Sequence, residues 1–243
     1  MLAKLTLLLD TKELDYRAAS TLQGLLMERI NPDYAAYLHA AQFHPYSQQL
    51  IKSPEGMVWQ INTLNEEAYH EIIEPLAQGS PEFYLRHQQV KLTVLERKTE
   101  ILPKRKLVED FYGKGAHKNL TVIFQTPTAF RQNKRYIILP EVRLLVQNLM
   151  MKYAAADGDT APPDADALTQ IIQDTFITRH KLSSRLFPLE STVIPGFVGQ
   201  ATFQVRGTET MARYLRLLLT FGEFSGVGVR TAMGMGAMRL RDE

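Results

Sequence analysis

The 243-residue chain has no cysteine, which excludes disulfides and thiolate metal sites and fits a reducing cytoplasm. It has no long apolar run. The stretch "LAKLTLLL" (2–9) is cut short by Asp10 and lacks a small-residue cleavage site, so it reads as a strand rather than a signal peptide. No segment approaches the ~20 apolar residues that a membrane span requires. Charge is nearly balanced, with 28 basic against 26 acidic side chains and a net charge of +2. A bulk excess of charge therefore does not mark a polyanion partner, and binding of one must come from local clusters. Glycine is scarce too. Of only 14 glycines, Gly222, Gly226, Gly228, Gly234 and Gly236 crowd into "FGEFSGVGVRTAMGMGAM" (221–238).

What is present is enough for a core. Apolar residues make up 45% of the chain. Periodicity places a helix over 17–30, stopped by Asn31-Pro32, and a short helix over 33–40. A strand is expected at 56–64, a helix at 65–76 capped by Asn65, and strands at 82–86 and 88–98. The polar, basic segment 102–119 reads as a linker. A strand (120–126), a hairpin around Asn133, and a helix over 140–156 opened by Pro140 follow. A loop, a helix (166–178), strands (181–188 and 191–206), a helix capped by Thr208 (208–224) and a last strand, "GAMRLRD", complete the chain. The two halves echo each other as strand, helix, strands, helix, strand. The expected fold is α+β, with two tandem ferredoxin-like (RRM-like) domains at 1–103 and 119–243 and a basic linker at 104–118.

The glycine stretch admits three readings. A dinucleotide fingerprint needs a strand, G-x-G-x-x-G and then a helix. Here a helix precedes, Thr231 stands at the third glycine position, and seven residues follow Gly236. A Walker loop would need G-K-[S/T]. Helix capping explains Gly222 but not four further glycines. The remaining reading is a polyanion site, in which the amides of Gly226, Gly228, Gly234 and Gly236 cradle phosphate, helped by Arg230 and Thr231.

A G-x-G-x5-G-x-G loop with a basic residue inside it, between a helix and the last strand, resembles the RAMP superfamily. With "TPTAF...RYIILPE" (126–141) it is most similar to the CRISPR repeat endoribonucleases within that superfamily. The resemblance covers the chain in outline. It implies cleavage of precursor CRISPR RNA without a metal or other cofactor. The 2′-hydroxyl attacks the adjacent phosphate, giving 2′,3′-cyclic phosphate and 5′-hydroxyl ends. It also implies CRISPR repeat RNA as partner, an effector complex as a further one, no membrane, and a monomer or homodimer.

Of the six histidines, His39 and His44 stand apart, in "DYAAYLHAAQFHPYSQQL" (33–50). Histidine suits proton transfer because its free pKa is about 6.5. In the resembling family a leucine-histidine pair precedes an aromatic-serine stretch, and Leu38-His39 before Tyr46-Ser47 matches. This implies His39 as general base, with His44 donating to the phosphate or acting as acid. Where some relatives carry a tyrosine on the first helix, this chain has Met27; Tyr34, Tyr37 and Lys52 are the substitutes. Tyr37 also reads as a core residue. His70 pairs with Glu66 one turn earlier, His87 lies between strands, His117 is in the linker, and His180 packs or caps at a helix-to-strand junction.

Basic residues gather at Lys104-Arg105-Lys106, at Lys114-His117-Lys118 and at Arg131-Lys134-Arg135, and together suggest a phosphate track at the domain junction. Two other functions compete. One is a guide-RNA-binding subunit without cleavage. The other is a metal hydrolase using His39 and His44, for which no ligand spacing is evident.

Overall fold

The computed structural model describes residues 1–85 and 89–241. The N-terminal half comprises β1 (Leu2–Leu9), α1 (Ala19–Arg29), α2 (Pro32–Ala40), β2 (Tyr46–Lys52) and β3 (Met57–Thr63). It continues with α3 (Glu66–Ala68), a π turn (Tyr69–Ile73), α4 (Glu74–Gln78), β4 (Glu82–Leu85) and β5 (Val90–Leu102). The strands form one antiparallel sheet in the order β2-β3-β1-β5-β4.

Helix α5 (Lys104–Gly113) leads to the second half. This holds β6 (Asn119–Thr128), the hairpin β7 (Phe130–Gln132) and β8 (Arg135–Ile137), α6 (Val142–Ala155), α7 (Ala165–Asp174), β9 (Thr175–Pro188), β10 (Val193–Val205), α8 (Glu209–Ser225) and β11 (Met238–Arg241). Its sheet order is β11-β6-β10-β9. Setting aside the added strand β4 and the β7–β8 hairpin, each half is a βαββαβ unit. In each, the first strand lies between the last and the third, and the second strand forms an edge. That is the ferredoxin-like arrangement the pattern predicts.

Local chemistry accounts for the elements. Asn31, Asn65 and Thr208 cap α2, α3 and α8, each side chain accepting a bond from an amide of the first turn. Asn133 and Lys134 take positive φ in the tight turn between β7 and β8.

Three expectations need correction. The segment 102–119 is not an irregular linker: ten of its residues form α5, which buries Leu107 among Phe221, Phe224 and Leu2. The helix expected over 166–178 ends at Asp174, and β9 begins at Thr175, because Thr175, Phe176, Ile177 and Thr178 favour a pleated surface. His180 therefore lies exposed within β9 and neither packs nor caps. His87 and the last residue of "GAMRLRD" lie outside the described residues.

The two halves do not keep separate cores. The cluster built on β1, α1 and β3 also takes in Ala129, Phe187, Ile194, Ala232 and Met235 from the second half. At the tip of the β9–β10 hairpin, Phe187 meets Tyr16 with ring centres 6.1 Å apart. The Tyr16 hydroxyl donates to the Leu186 carbonyl at 3.0 Å.

Candidate active site at the meeting of the two halves

Helix α2 buries Tyr34, Ala35 and Leu38, which leaves Tyr37 and His39 facing solvent. Tyr37 is 53% exposed and packs its ring against Tyr34 at 5.6 Å, so it is not a core residue. Residues two apart on a helix do not share a face, so Tyr37 and His39 diverge. The chain then turns into β2 through half-buried His44, whose ring meets Tyr46 edge-on at 6.1 Å.

His44 gathers the site around it. Its pKa is held below 6.5, first by burial, then by the charges of Arg230, His39 and Lys152, against a hydrogen bond to the Leu38 carbonyl that favours the protonated ring. Arg230 comes from the loop after α8 and Lys152 from α6, so groups from both halves converge here. The folded ring prefers its neutral form. Its contribution to stability is complete above pH 6.5 and declines as pH falls below that value, because there the unfolded chain binds more protons. An NMR titration is expected to give His44 a midpoint below 6.5 that rises in Arg230→Ala, where one like charge is gone. A midpoint that ignores the substitution would place the guanidinium out of range. His70 supplies the opposite case: Glu74, at 2.9 Å, raises its pKa, with Glu66 a weaker neighbour at 3.9 Å.

The glycine loop is packed rather than flat. Gly226, Gly234 and Gly236 are buried, and all four loop glycines have positive φ. A Cβ would lie 2.3 Å from the Ala129 carbonyl oxygen at Gly228, 2.3 Å from the Ala19 Cβ at Gly234 and 2.0 Å from the Val227 oxygen at Gly236. Nor do their amides face outward. Gly226 donates to Gly222, Gly228 to Asn148 Oδ1, Gly234 to Thr231 and Gly236 to Pro127. The expectation that these N–H groups cradle phosphate is therefore not met. The glycines let the loop thread between the halves, and Arg230 is the exposed cation it presents. Arg230 sits in the left-handed region at φ 56, a strained conformation of the kind that concentrates at functional sites.

Three sets of bonds fix this loop. Gln48 Nε2 donates to the Ala19 and Ala232 carbonyls, both at 3.0 Å, while Gln48 Oε1 accepts from Trp59 Nε1 at 2.6 Å. Ser47 Oγ donates to the Phe224 carbonyl at 2.5 Å and accepts from Asn62 Nδ2 at 3.1 Å. Lys152 Nζ donates to the Ser225 and Gly226 carbonyls, both at 3.2 Å, and to Thr231 Oγ1 at 3.1 Å. Burial pushes Lys152 down to about 7. The three oxygens and the negative end of α8 pull the other way, toward the ammonium. Thr231 is thus a buried partner of Lys152 and not an outward donor.

Other expected residues disperse. Lys52 ends β2, about 20 Å along the strand from Tyr46 by its rise per residue, and lies within charge range of Asp15. Lys104 pairs with Asp157 at 2.5 Å and lies over the Tyr153 ring. Lys106 and Lys114 both pair with Asp110, and Lys118 donates to the Gly207 carbonyl. Arg105, Arg131, Lys134 and Arg135 are exposed and stand in no ion pair among the described residues. Lys104, Lys106 and Lys114 thus have acidic partners already. Among the described residues no group of three His, Asp or Glu side chains is placed to hold a metal ion, and no helix is long and apolar enough to cross a membrane.

Sequence reading missed Lys152, although a trace of it is present. It stands seven residues after Leu145 and three after Leu149, on the stripe that α6 buries. A lysine on an apolar stripe needs acceptors, and the end of α8 provides them.

Several known proteins resemble this chain in sequence or in fold. A family model described as CRISPR-associated endoribonuclease Cas6 matches residues 122–238. A Streptococcus thermophilus protein of that description is 33% identical over 234 residues, spanning 95% of this chain and 96% of its own length. One from Mycobacterium tuberculosis (strain ATCC 25618 / H37Rv) is 38% identical over 223 residues, spanning 90% of this chain and 70% of its own. Among solved structures, a Cas6 product complex superposes with a TM-score of 0.82 at 22% identity, covering 99% of each chain. A Thermus thermophilus Cas6 gives 0.73 at 22% identity, covering 99% of this chain and 98% of its own. At these identities the structural likeness is one of fold.

Proposed function

Because the chain belongs to the Cas6 family of CRISPR-associated endoribonucleases, we propose that it cuts precursor CRISPR RNA within the repeats, without a metal ion, at the cluster around His44. His39 takes the proton of the RNA 2′-hydroxyl, whose oxygen attacks the adjacent phosphorus. The bond from phosphorus to the 5′ oxygen breaks, and that oxygen takes a proton from water, to which His39 returns the one it removed. The products are a 2′,3′-cyclic phosphate and a 5′-hydroxyl end. Arg230 balances the charge that gathers on the phosphate oxygens as the bonds exchange. Neutral His44 beside it is a hydrogen-bonding partner rather than a reservoir of positive charge.

The observation that supports this reading is the convergence of His39 and His44 from one half with Arg230 from the other. Proton transfer and phosphate stabilisation are then available in one place. The reaction belongs in the cytoplasm, where the product passes to a CRISPR effector complex.

The test uses purified protein and repeat RNA in EDTA, with and without a 2′-deoxy nucleotide at the scissile position. Full cleavage of the all-ribose strand in EDTA is expected, with none of the deoxy strand. Cleavage of the deoxy strand would sink the 2′-hydroxyl mechanism. Activity restored only by added metal would sink the metal-free one. Binding of both strands with cleavage of neither would mark a non-catalytic RNA-binding subunit.

A further inference from the structure

The two sheets differ in charge. The N-terminal sheet mixes signs and pairs them, as in Lys91–Glu82 at 2.7 Å and Lys98–Glu100 at 2.6 Å. Among the described residues of β6, β9, β10 and β11, none is Asp or Glu. The same strands carry Arg179, Lys181, Arg185, Arg239 and Arg241.

Register places all five on one face. Val122, Phe124, Ala201, Phe203, Met238 and Leu240 point into the core beneath α6 and α8. Their neighbours along each strand must point the other way. Across that helix-free face one rung runs Arg241, Thr121, Thr202, Arg179, and the next runs Arg239, Ile123, Gln200, Lys181. The Thr121 and Thr202 hydroxyls lie 2.9 Å apart, as same-face neighbours do. Each rung ends in a cation at both edges, about 14 Å apart across four strands. The five cations are exposed, and none stands in an ion pair among the described residues. Phe176, 43% exposed, shares the face, with the Arg206 guanidinium 4.9 Å from its ring centre.

An antiparallel sheet often leaves a polar face to water. A merely solvated face carries both signs, whereas cations alone repel one another. A flat, open, cationic face with an aromatic ring matches a nucleic-acid strand whose phosphates meet the edges and whose bases lie on the sheet. We propose that the helix-free face of the C-terminal sheet binds a single-stranded segment of the RNA, separate from the segment cut at His39. The proposal rests on the RNA-cleaving function above and adds a second contact surface to it.

The test compares wild type with Arg179→Ala, Lys181→Ala, Arg239→Ala and Arg241→Ala, singly and combined. Binding is measured against salt for a repeat RNA carrying single-stranded flanks. Each single-strand phosphate contact contributes about 0.7 to the slope of log affinity against log salt, so the fourfold variant should lose roughly 3 from that slope. Cleavage at saturating RNA should be unchanged. A variant with all four positions as lysine should recover the slope, which separates lost charge from damaged folding. An unchanged slope in the fourfold alanine variant, with wild type cutting normally, overturns this proposal and leaves the cleavage function standing. A slope change that persists on an RNA trimmed of its single-stranded flanks overturns the single-strand assignment. If wild type cuts no repeat RNA, the cleavage function fails; the salt slope on an uncleavable single strand then decides the face by itself.

Discussion

Replacing His39 with alanine is expected to slow cleavage of repeat RNA by about 10²–10⁴-fold while leaving RNA affinity nearly unchanged, since that is what one well-placed acid or base contributes. The local structure makes the experiment clean. His39 is exposed in the last turn of α2, and the helix is held by Tyr34, Ala35 and Leu38 and by the Asn31 cap, none of which the substitution touches. Loss of activity through unfolding is therefore not expected, and a melting curve will verify it. His70→Ala is the matched control, because that ring is also exposed but is partnered by Glu66 and Glu74. Single-turnover rates at saturating RNA are the measurement. A His39→Ala rate within a few-fold of wild type would remove this residue from the chemistry and shift attention to His44.

The second large effect concerns the glycine loop and acts through folding. Gly236→Ala is expected to lower stability by at least about 3 kcal/mol, combining a left-handed φ with a carbonyl where the Cβ must go. Backbone φ there is +70, the intruding Cβ would lie 2.0 Å from the Val227 oxygen, and the Val227 amide itself bonds to the Gly236 carbonyl. For a chain of this size that corresponds to a fall of about 6–12 °C in Tm. Gly24→Ala is the contrast. It lies exposed within α1 with nothing near a would-be Cβ, and alanine there should stabilise by up to about 1 kcal/mol. If Gly236→Ala melts like wild type yet binds RNA poorly, the glycines serve the ligand directly and the packing account is wrong.

The glycine loop also shows what sequence could convey and what it could not. The cluster of glycines marked a place where backbone comes close to something, but spacing does not say to what. The partners are Ala19, Ala129 and Val227, of which Ala19 is more than 200 residues away in sequence. Periodicity and capping residues, being local, disclose most elements and their order, but not β2 (Tyr46–Lys52), whose "YSQQLIK" is buried even at its polar Ser and Gln positions and so lacks the alternation of a half-buried strand, nor α5. The boundary at Thr175 was harder, because "IIQDTFITRH" satisfies a helical stripe up to Asp174 and then a pleat, with no proline or glycine between. His39 and His44 stand out by their neighbourhood and by the resemblance, and the structure brings His39 and Arg230 within charge range of His44. The sequence marks Arg230 as a phosphate contact, but nothing local indicates that its charge reaches His44. Lys152 and Gln48 carry no local signal of their role, and Ser47 marks only the motif, since their partners are groups of α1, α8 and the glycine loop that are distant in sequence. Lys52 shows the opposite error: closeness in sequence to His44 became a strand's length of separation once β2 was drawn out straight.

The shared core has a bearing on ancestry. Two units of the same topology suggest a duplicated module, yet neither copy now keeps its apolar residues to itself. Phe187 and Ile194 of the later unit complete the interior of the earlier one. A chimera that took its first half from this chain and its second from a distant relative would leave a socket beside Tyr16 and Ala19 with a mismatched plug. A single displaced aromatic lays bare about 150–250 Å². Lineages of such proteins are therefore constrained to exchange whole chains or matched surfaces, and the seam between the units will drift as a pair.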